Sequence, residues 1–317
     1  MIKIPTKEAR NRLILNVFVD GFFILIITLC FYLATPIQSS KVIYVPQGGM
    51  NEIIAYLRQN QFDINKLDGI LIRFLGYPQS GWLNINRTFL SKGDFLYKLT
   101  YAKAALEDIT LIPGETLYFF IKAASEQLNL DEGKLHQYYT KYAPYVDGVI
   151  LANTYKVPKG ITEEHLMYYL VNTSLKEHQK WAVKFLGEYD ERQWFRFVTI
   201  ASIIQKESAN IQEMPLVSAV IHNRLKIKMP LQMDGALNYG RFSHTKVTPQ
   251  MIRNDTTSYN TYKFNGIPDS PVGSVGFDAI KAAIYPADVD YLYFVRIKKG
   301  EHAFSKTYQE HIKNFSQ

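Results

Sequence analysis

Apolar residues dominate the chain from Leu13 to Ala34, LILNVFVDGFFILIITLCFYLA, with Asn16 and Asp20 as the polar positions in its first turns. A helix needs about 20 such residues to cross a bilayer. Downstream the pattern shortens. "VIYVPQGGMNEIIAYLRQN" reads as a strand, a glycine turn and an amphipathic helix with Ile53, Ile54 and Leu57 on one side. "EDITLIPGETLYFFIKAASEQLNL" repeats that order, turning at Pro113-Gly114 into a helix that spaces Leu117, Phe120, Ile121 and Ala124 for burial. Between them "GWLNINRTFLSKGDFLYKLTYA" gives a strand, then Ser91 as a helix cap, then Phe95, Leu96 and Leu99. Strand and helix pairs of this kind predict a compact α+β module over residues 41–158.

A second α+β domain is expected over residues 159–317. Pro158-Lys159-Gly160 leads into a helix capped at Thr162, with Glu163 and Glu164 in its first turn, and Leu175 to Leu186 continues helical. "FVTIASIIQKESAN" reads as an apolar helix, and "EMPLVSAVIHNRLKIKMP" as another, started near Pro215 and stopped before Pro230. "LQMDGALNYG" and "SYNTYKFNGIPDSPVG" lack helical periodicity and have the composition of loops that line a cleft. A helix at Phe277 to Ile284, a hairpin turning at Lys299-Gly300 and a last helix from Thr307 complete the pattern.

One carboxylate stands out against this background. At 100° per residue Glu207 projects one turn beyond Ile203 and Ile200, at the C-terminal end of its helix, while Lys206 points elsewhere. Desolvation and the negative pole of the helix both favour its protonated form, which describes a general acid. The same window equally describes a Glu on the shoulder of an amphipathic helix with its head in water, as most such residues are.

Composition narrows the classes. The chain has 317 residues, 47% of them hydrophobic, enough for a sizeable core. Its net charge of +7 comes from scattered Lys and Arg residues, which does not form a nucleic-acid footprint. A single cysteine, Cys30, excludes a disulfide framework, and the seven histidines make no HxH or HExxH arrangement, so no metal or organic cofactor is expected. Lys3, Lys7, Arg10 and Arg12 against Glu8 place residues 1–12 in the cytoplasm by the positive-inside rule. Residues 13–35 then form an uncleaved anchor, with the remainder outside a bacterial cytoplasmic membrane. A cleavable signal peptide is the alternative, although no clear small-x-small site follows beyond the poor match in "TPIQSS".

Taken together, "IASIIQKESAN", "VSAVIHNRLKIKMPLQMD", "YNTYKFNGIPDSPV", "IKAAIYPADVDYLYFV" and "HAFSKTYQEH" resemble, in order and spacing, the YceG-like endolytic murein transglycosylases. "ITLIPGETL" and "LANTYKVPKGIT" look like upstream signatures of the same family. The resemblance implies an enzyme that cuts peptidoglycan glycan strands between N-acetylmuramic acid and N-acetylglucosamine, leaving 1,6-anhydro ends and working beside peptidoglycan synthases. It also implies that the upstream module is LysM-like. The family's catalytic glutamate falls on Glu207, and its cleft strings fall on Gln232, Asp234, Tyr259, Asn260, Tyr262, Pro268, His302 and Phe304. The chain departs from the family pattern at Gly235, where proline usually follows the aspartate, and at Ser258 before "YNTY". A single acid/base suffices for such a reaction, whereas hydrolysis needs two carboxylates, for which Asp234 is the second candidate. A peptidoglycan hydrolase and a non-catalytic wall-binding scaffold remain the alternatives.

Overall fold

The computed structural model describes residues 7–298 and 300–315. The start of the N-terminal tail, with Lys3, and Lys299 of the expected hairpin turn lie outside the described residues. The chain forms two compact units, Met1–Glu107 with Pro158–Gly160, and Asp108–Val157 with Ile161–Gln317.

The first unit opens with α1 (Lys7–Ala34), the one helix among the described residues long and apolar enough to span a membrane. From Arg10 to Phe31 its side chains, such as Phe18 and Phe31, are exposed, while Tyr32 and Leu33 in its last turn are half-buried. β1 (Pro36–Gln38), β2 (Val42–Val45), α2 (Met50–Gln59), α3 (Lys66–Leu75), β3 (Gly81–Asn84), β4 (Phe89–Ser91) and α4 (Lys92–Tyr101) follow. β1 pairs antiparallel with β4, placing Ile37 opposite Leu90, and β2 pairs antiparallel with β3, placing Ile43 opposite Leu83. These alternate residues close on Ile53, Leu57, Ile72, Phe95, Leu96 and Leu99 to make the unit's core. The expected caps form: the Ser91 hydroxyl accepts the Asp94 N–H. α3 was not legible in the pattern, since Gly69 interrupts its apolar face; the glycine lies against Ile54 and Met50 of α2, where a side chain would be crowded.

In the second unit β5 (Leu106–Leu111) and β6 (Asn153–Pro158) pair, with α5 (Leu117–Leu128) and α6 (Glu132–Tyr142) between them in sequence. Ile109, Leu111, Leu117, Tyr155 and Val157 belong to this unit's core, so the contacts divide the chain near residue 107 rather than at 158. α7 (Glu163–Leu186) is one continuous helix capped by the Thr162 hydroxyl on the His165 N–H. α8 (Glu191–Glu207) is the unit's central helix, with Trp194, Phe195, Val198, Ile200, Ala201, Ile203 and Ile204 all buried. It begins where Asp190 accepts the Gln193 N–H and ends at Glu207, because Ser208 turns extended. Its polar residues are satisfied: Thr199 donates to the Phe195 carbonyl, and Ser202 accepts the Val272 N–H at 3.0 Å.

After a 3-10 turn at Ile211–Glu213, α9 (Met214–Lys226) starts with Pro215 in its first turn. The segment beyond Pro230 is not wholly irregular as its composition suggests. It contains α10 (Asp234–Leu237) and α11 (Pro249–Asn254), too short for a periodic signal. α12 (Phe277–Ile284), the antiparallel hairpin β7 (Tyr293–Lys298) and β8 (Glu301–Ser305), and α13 (Tyr308–Phe315) close the unit. Among the described residues, four two-stranded sheets and many helices make this a mixed helix and strand protein.

Candidate active site around Glu207

Because α8 stops at Glu207, the carboxylate stands where the helix gives way to the turn toward α9. Its Oε1 accepts the Gly235 N–H at 2.6 Å, from the first turn of α10. Burial pushes the carboxyl up to about 7, while the Gly235 N–H opposes that rise; Asp234 adds to it, and His302 and Arg224 reduce it. Gly235 is buried, and a Cβ there would lie 2.8 Å from Glu207 Oε1 and 2.9 Å from Lys206 Cβ. Only glycine brings its backbone N–H this close without moving either side chain. Proline, usual here in the resembling family, has no N–H to donate.

Lys206, one residue earlier, leaves the helix on a different side. Its ammonium donates to the Asn238 carbonyl at 2.7 Å and to Ser243 Oγ at 2.9 Å, and burial lowers it to about 8. It therefore ties the helix end to the loop after α10.

Asp234 and Gln232 are both exposed beside this point. Asp234 accepts the Tyr262 hydroxyl at 2.8 Å, and burial together with that bond raises the phenol well above its usual range. Gln232 adopts a left-handed backbone, φ 49°, and its N–H donates to the Thr261 carbonyl, so the segments 231–234 and 259–262 are stitched together. Met233 N–H adds a bond to Thr261 Oγ1 at 3.1 Å.

Two of the expected cleft residues turn inward. Asn260 is fully buried, and its amide donates to the Ile252 and Asp255 carbonyls at 2.8 Å each. The amide dipole expected to face a ligand is therefore occupied within its own loop. Tyr259 stacks on Tyr239 with ring centroids 4.1 Å apart and packs against the core, so it braces the wall. Phe304 likewise packs on the core, and Pro268 lines a separate cavity with Tyr145 and Phe195.

His302, on β8, is held by a residue the sequence pattern did not single out. Its backbone N–H donates to Glu213 Oε1 at 2.9 Å and its Nδ1 donates to Oε2 at 2.7 Å. Arg224 was also missed: from α9 it donates to the Leu292 and Leu231 carbonyls, fixing the start of the hairpin and of the Gln232 segment. Arg224 stands among His222, Asn223 and Lys226 and so carried no signal of its own; Glu213 carried none either, because it reads as an ordinary first-turn acid. The structure thus brings Glu207, Asp234, Tyr262 and His302 to one place, framed by Gly235, Arg224 and Glu213. Among the described residues no group of three His, Cys, Asp or Glu side chains is arranged to hold a metal ion.

A model of the YceG-like family matches residues 43–317. The endolytic murein transglycosylase of Bacillus subtilis (strain 168) is 36% identical over 118 residues, 37% of this chain and 33% of that protein. The protein of the same name from Streptococcus pneumoniae (serotype 2 strain D39) is 32% identical over 126 residues, 38% of this chain and 23% of that protein. The matched part is thus a third or less of these relatives' length. The crystal structure of a YceG-like protein from Listeria monocytogenes superposes with a TM-score of 0.57 at 22% identity, covering 87% of this chain and 99% of that one, so the fold is shared.

Proposed function

The chain belongs to the YceG-like family, and on that premise we propose that it is a membrane-anchored endolytic lytic transglycosylase of peptidoglycan with Glu207 as its single acid/base. The observation that carries this reading is the Glu207 carboxyl, raised to about 7 by burial and held through Oε1 by the Gly235 N–H. With Oε1 accepting, the acidic proton sits on Oε2. Near neutral pH both protonation states are populated, as a group that must give and then take a proton requires.

Glu207 donates its proton to the glycosidic oxygen between N-acetylmuramic acid and N-acetylglucosamine as that bond breaks. The resulting carboxylate takes the proton of the muramic acid C6 hydroxyl, whose oxygen attacks the anomeric carbon and closes the 1,6-anhydro ring. No water is consumed. The substrate's N-acetyl group bears part of the positive charge at the anomeric carbon, and the Asp234 carboxylate adds to that stabilisation. Gln232, Tyr262 and His302 are the remaining ligand-facing candidates, while Asn260 and Tyr259 shape the wall behind them.

α1 serves as a single-pass anchor in a bacterial cytoplasmic membrane, N-terminus inside, and peptidoglycan synthases are the expected partners. The unit containing β2, α2, α3 and β3 is the part read as LysM-like, a holder of glycan. Its cavity of about 420 Å³ is lined by Tyr44, Tyr56, Trp82, Asn60 and Gln61, aromatic faces and amides suited to sugar rings.

The test is to incubate the purified full chain, and its Glu207→Gln variant, with peptidoglycan and identify the released ends by mass spectrometry. Anhydro ends from the wild type and a loss of at least about 100-fold in the variant are expected. Reducing ends would make the protein a hydrolase using Asp234, and glycan binding without cleavage would make it a scaffold.

A further inference from the structure

Glu213 and His302 lie far apart in sequence and meet through two hydrogen bonds to one carboxylate, at 2.9 and 2.7 Å. Both side chains are about nine-tenths buried. The Ala209 N–H gives the same carboxylate a third donor at 3.3 Å, and the Glu213 N–H is itself held by Asn210 Oδ1 at 3.1 Å. Asn210 also reaches across to the Gly300 carbonyl at 3.1 Å. The turn that follows Glu207 and the β7–β8 hairpin are thus fastened together around one imidazole.

We infer that Glu213 is a positioning residue for this site: by binding both the backbone N–H and Nδ1–H of His302, it sets the ring's tautomer and orientation beside Glu207. The inference rests on the reading of Glu207 as the acid/base. A carboxylate only accepts, so Nδ1 carries the hydrogen and Nε2 is the ring nitrogen left to face a ligand. Glu213 remains an acceptor: burial raises its carboxyl, but the His302 and Ala209 hydrogen bonds outweigh that and leave it below the usual range.

The consequence falls on Glu207. When Glu207 gives up its proton it becomes an anion, and His302 acts to lower that carboxyl. The other groups acting on Glu207 are Asp234 and the Gly235 N–H from α10 and Arg224 from α9. Around His302 stand Glu213, the cross-strand Arg296 of β7, and the Phe294 ring, which meets it edge-on at 5.5 Å. Arg224 is occupied with carbonyls. Glu213 is what holds the His302 ring in place beside Glu207.

Glu213→Gln, His302→Gln and the double variant of the full chain distinguish this role from mere fastening of the hairpin. In the wild type, release of anhydro ends falls as pH rises through the Glu207 value, because the acid form is lost. Without the His302 ring in place its lowering of the Glu207 carboxyl is lost and the acid form persists further, so this alkaline limb moves up by roughly one unit in either single variant. The rate below the limb falls about tenfold, the double variant behaving like either single one. Independently of activity, the His302 ring nitrogens followed by NMR show the hydrogen fixed on Nδ1 in the wild type and no longer fixed there in Glu213→Gln. An unmoved limb in folded single variants, additive losses, or an unchanged His302 tautomer would overturn the inference. If instead Glu207→Gln still released anhydro ends, the reading of the acid would fall, while the His302 tautomer would still report on the clamp.

Discussion

Glu207 is costly to the fold in the state that most of its kind adopt in water. Its carboxyl has an ordinary value of 4.5 and sits at about 7 here, raised first by burial. A raised acid contributes its stability in full below the unfolded value and loses it as pH climbs through the folded one. Glu207→Gln should therefore match the wild type in stability near pH 4.5 and exceed it by about 3 kcal/mol at pH 8, since the amide oxygen still accepts the Gly235 N–H. Denaturation at the two pH values checks this; equal midpoints at pH 8 would mean that the carboxyl is well hydrated. Asp147, which burial also raises to about 7 against the Leu117 and Gly148 N–H groups, imposes a similar slope on both proteins and cancels in the comparison. At this scale, the end position of Glu207 was legible in the 3.6-residue period. Its partners were not. Gly235 was visible only as an odd residue, and Glu213 not at all, because a hydrogen bond across 89 residues leaves no local trace.

Elements were legible where a cap and a periodic apolar face coincided. Thr162 before α7, Pro215 in α9 and the whole of α12 are such cases. α6 was missed because its sequence, EGKLHQYYTKY, buries only Leu135 and Tyr139. What holds elements to one another is less local still. His178 of α7 accepts the Trp194 indole N–H of α8 at 3.0 Å and donates to the Val149 carbonyl, and burial lowers it to about 4, keeping it neutral. The last turn of α1 is held similarly: Tyr32 donates to Asp68 of α3 at 2.8 Å, and Asp68 also takes the Asn65 N–H and lies 3.9 Å from the buried Lys92 ammonium. Asp68→Ala removes the acceptor for all of these and leaves Lys92 with the exposed Asp63 at 3.5 Å as its carboxylate partner, beside the Tyr32 ring. A loss of about 3 kcal/mol from the first unit is expected. Hydrogen exchange should quicken in α2, α3 and α4 and stay unchanged in α8; unchanged protection in α3 would show that the network contributes nothing.

Across the whole molecule, α1 sets the most general expectation. A helix with Leu13, Phe18, Phe22, Ile24 and Phe31 all exposed cannot stand in water without aggregating. The full chain should therefore fractionate with membranes and resist extraction by salt, and a chain lacking residues 1–35 should not; recovery of the full chain in the soluble fraction would refute the anchor. The apolar length of that helix and the secondary pattern of most of both units follow from the sequence by itself, since each depends on neighbours within one or two turns, whereas Glu207 was singled out by the family resemblance of the strings around it. The tertiary structure alone decided which carboxylate clamps His302, that Asn260 and Tyr259 brace a wall, that Gly235 supplies the N–H on Glu207, and that residues 108–157 belong with the second unit's core. Burial and hydrogen bonding between distant segments are properties of packing, and packing exists only once the chain has closed on itself.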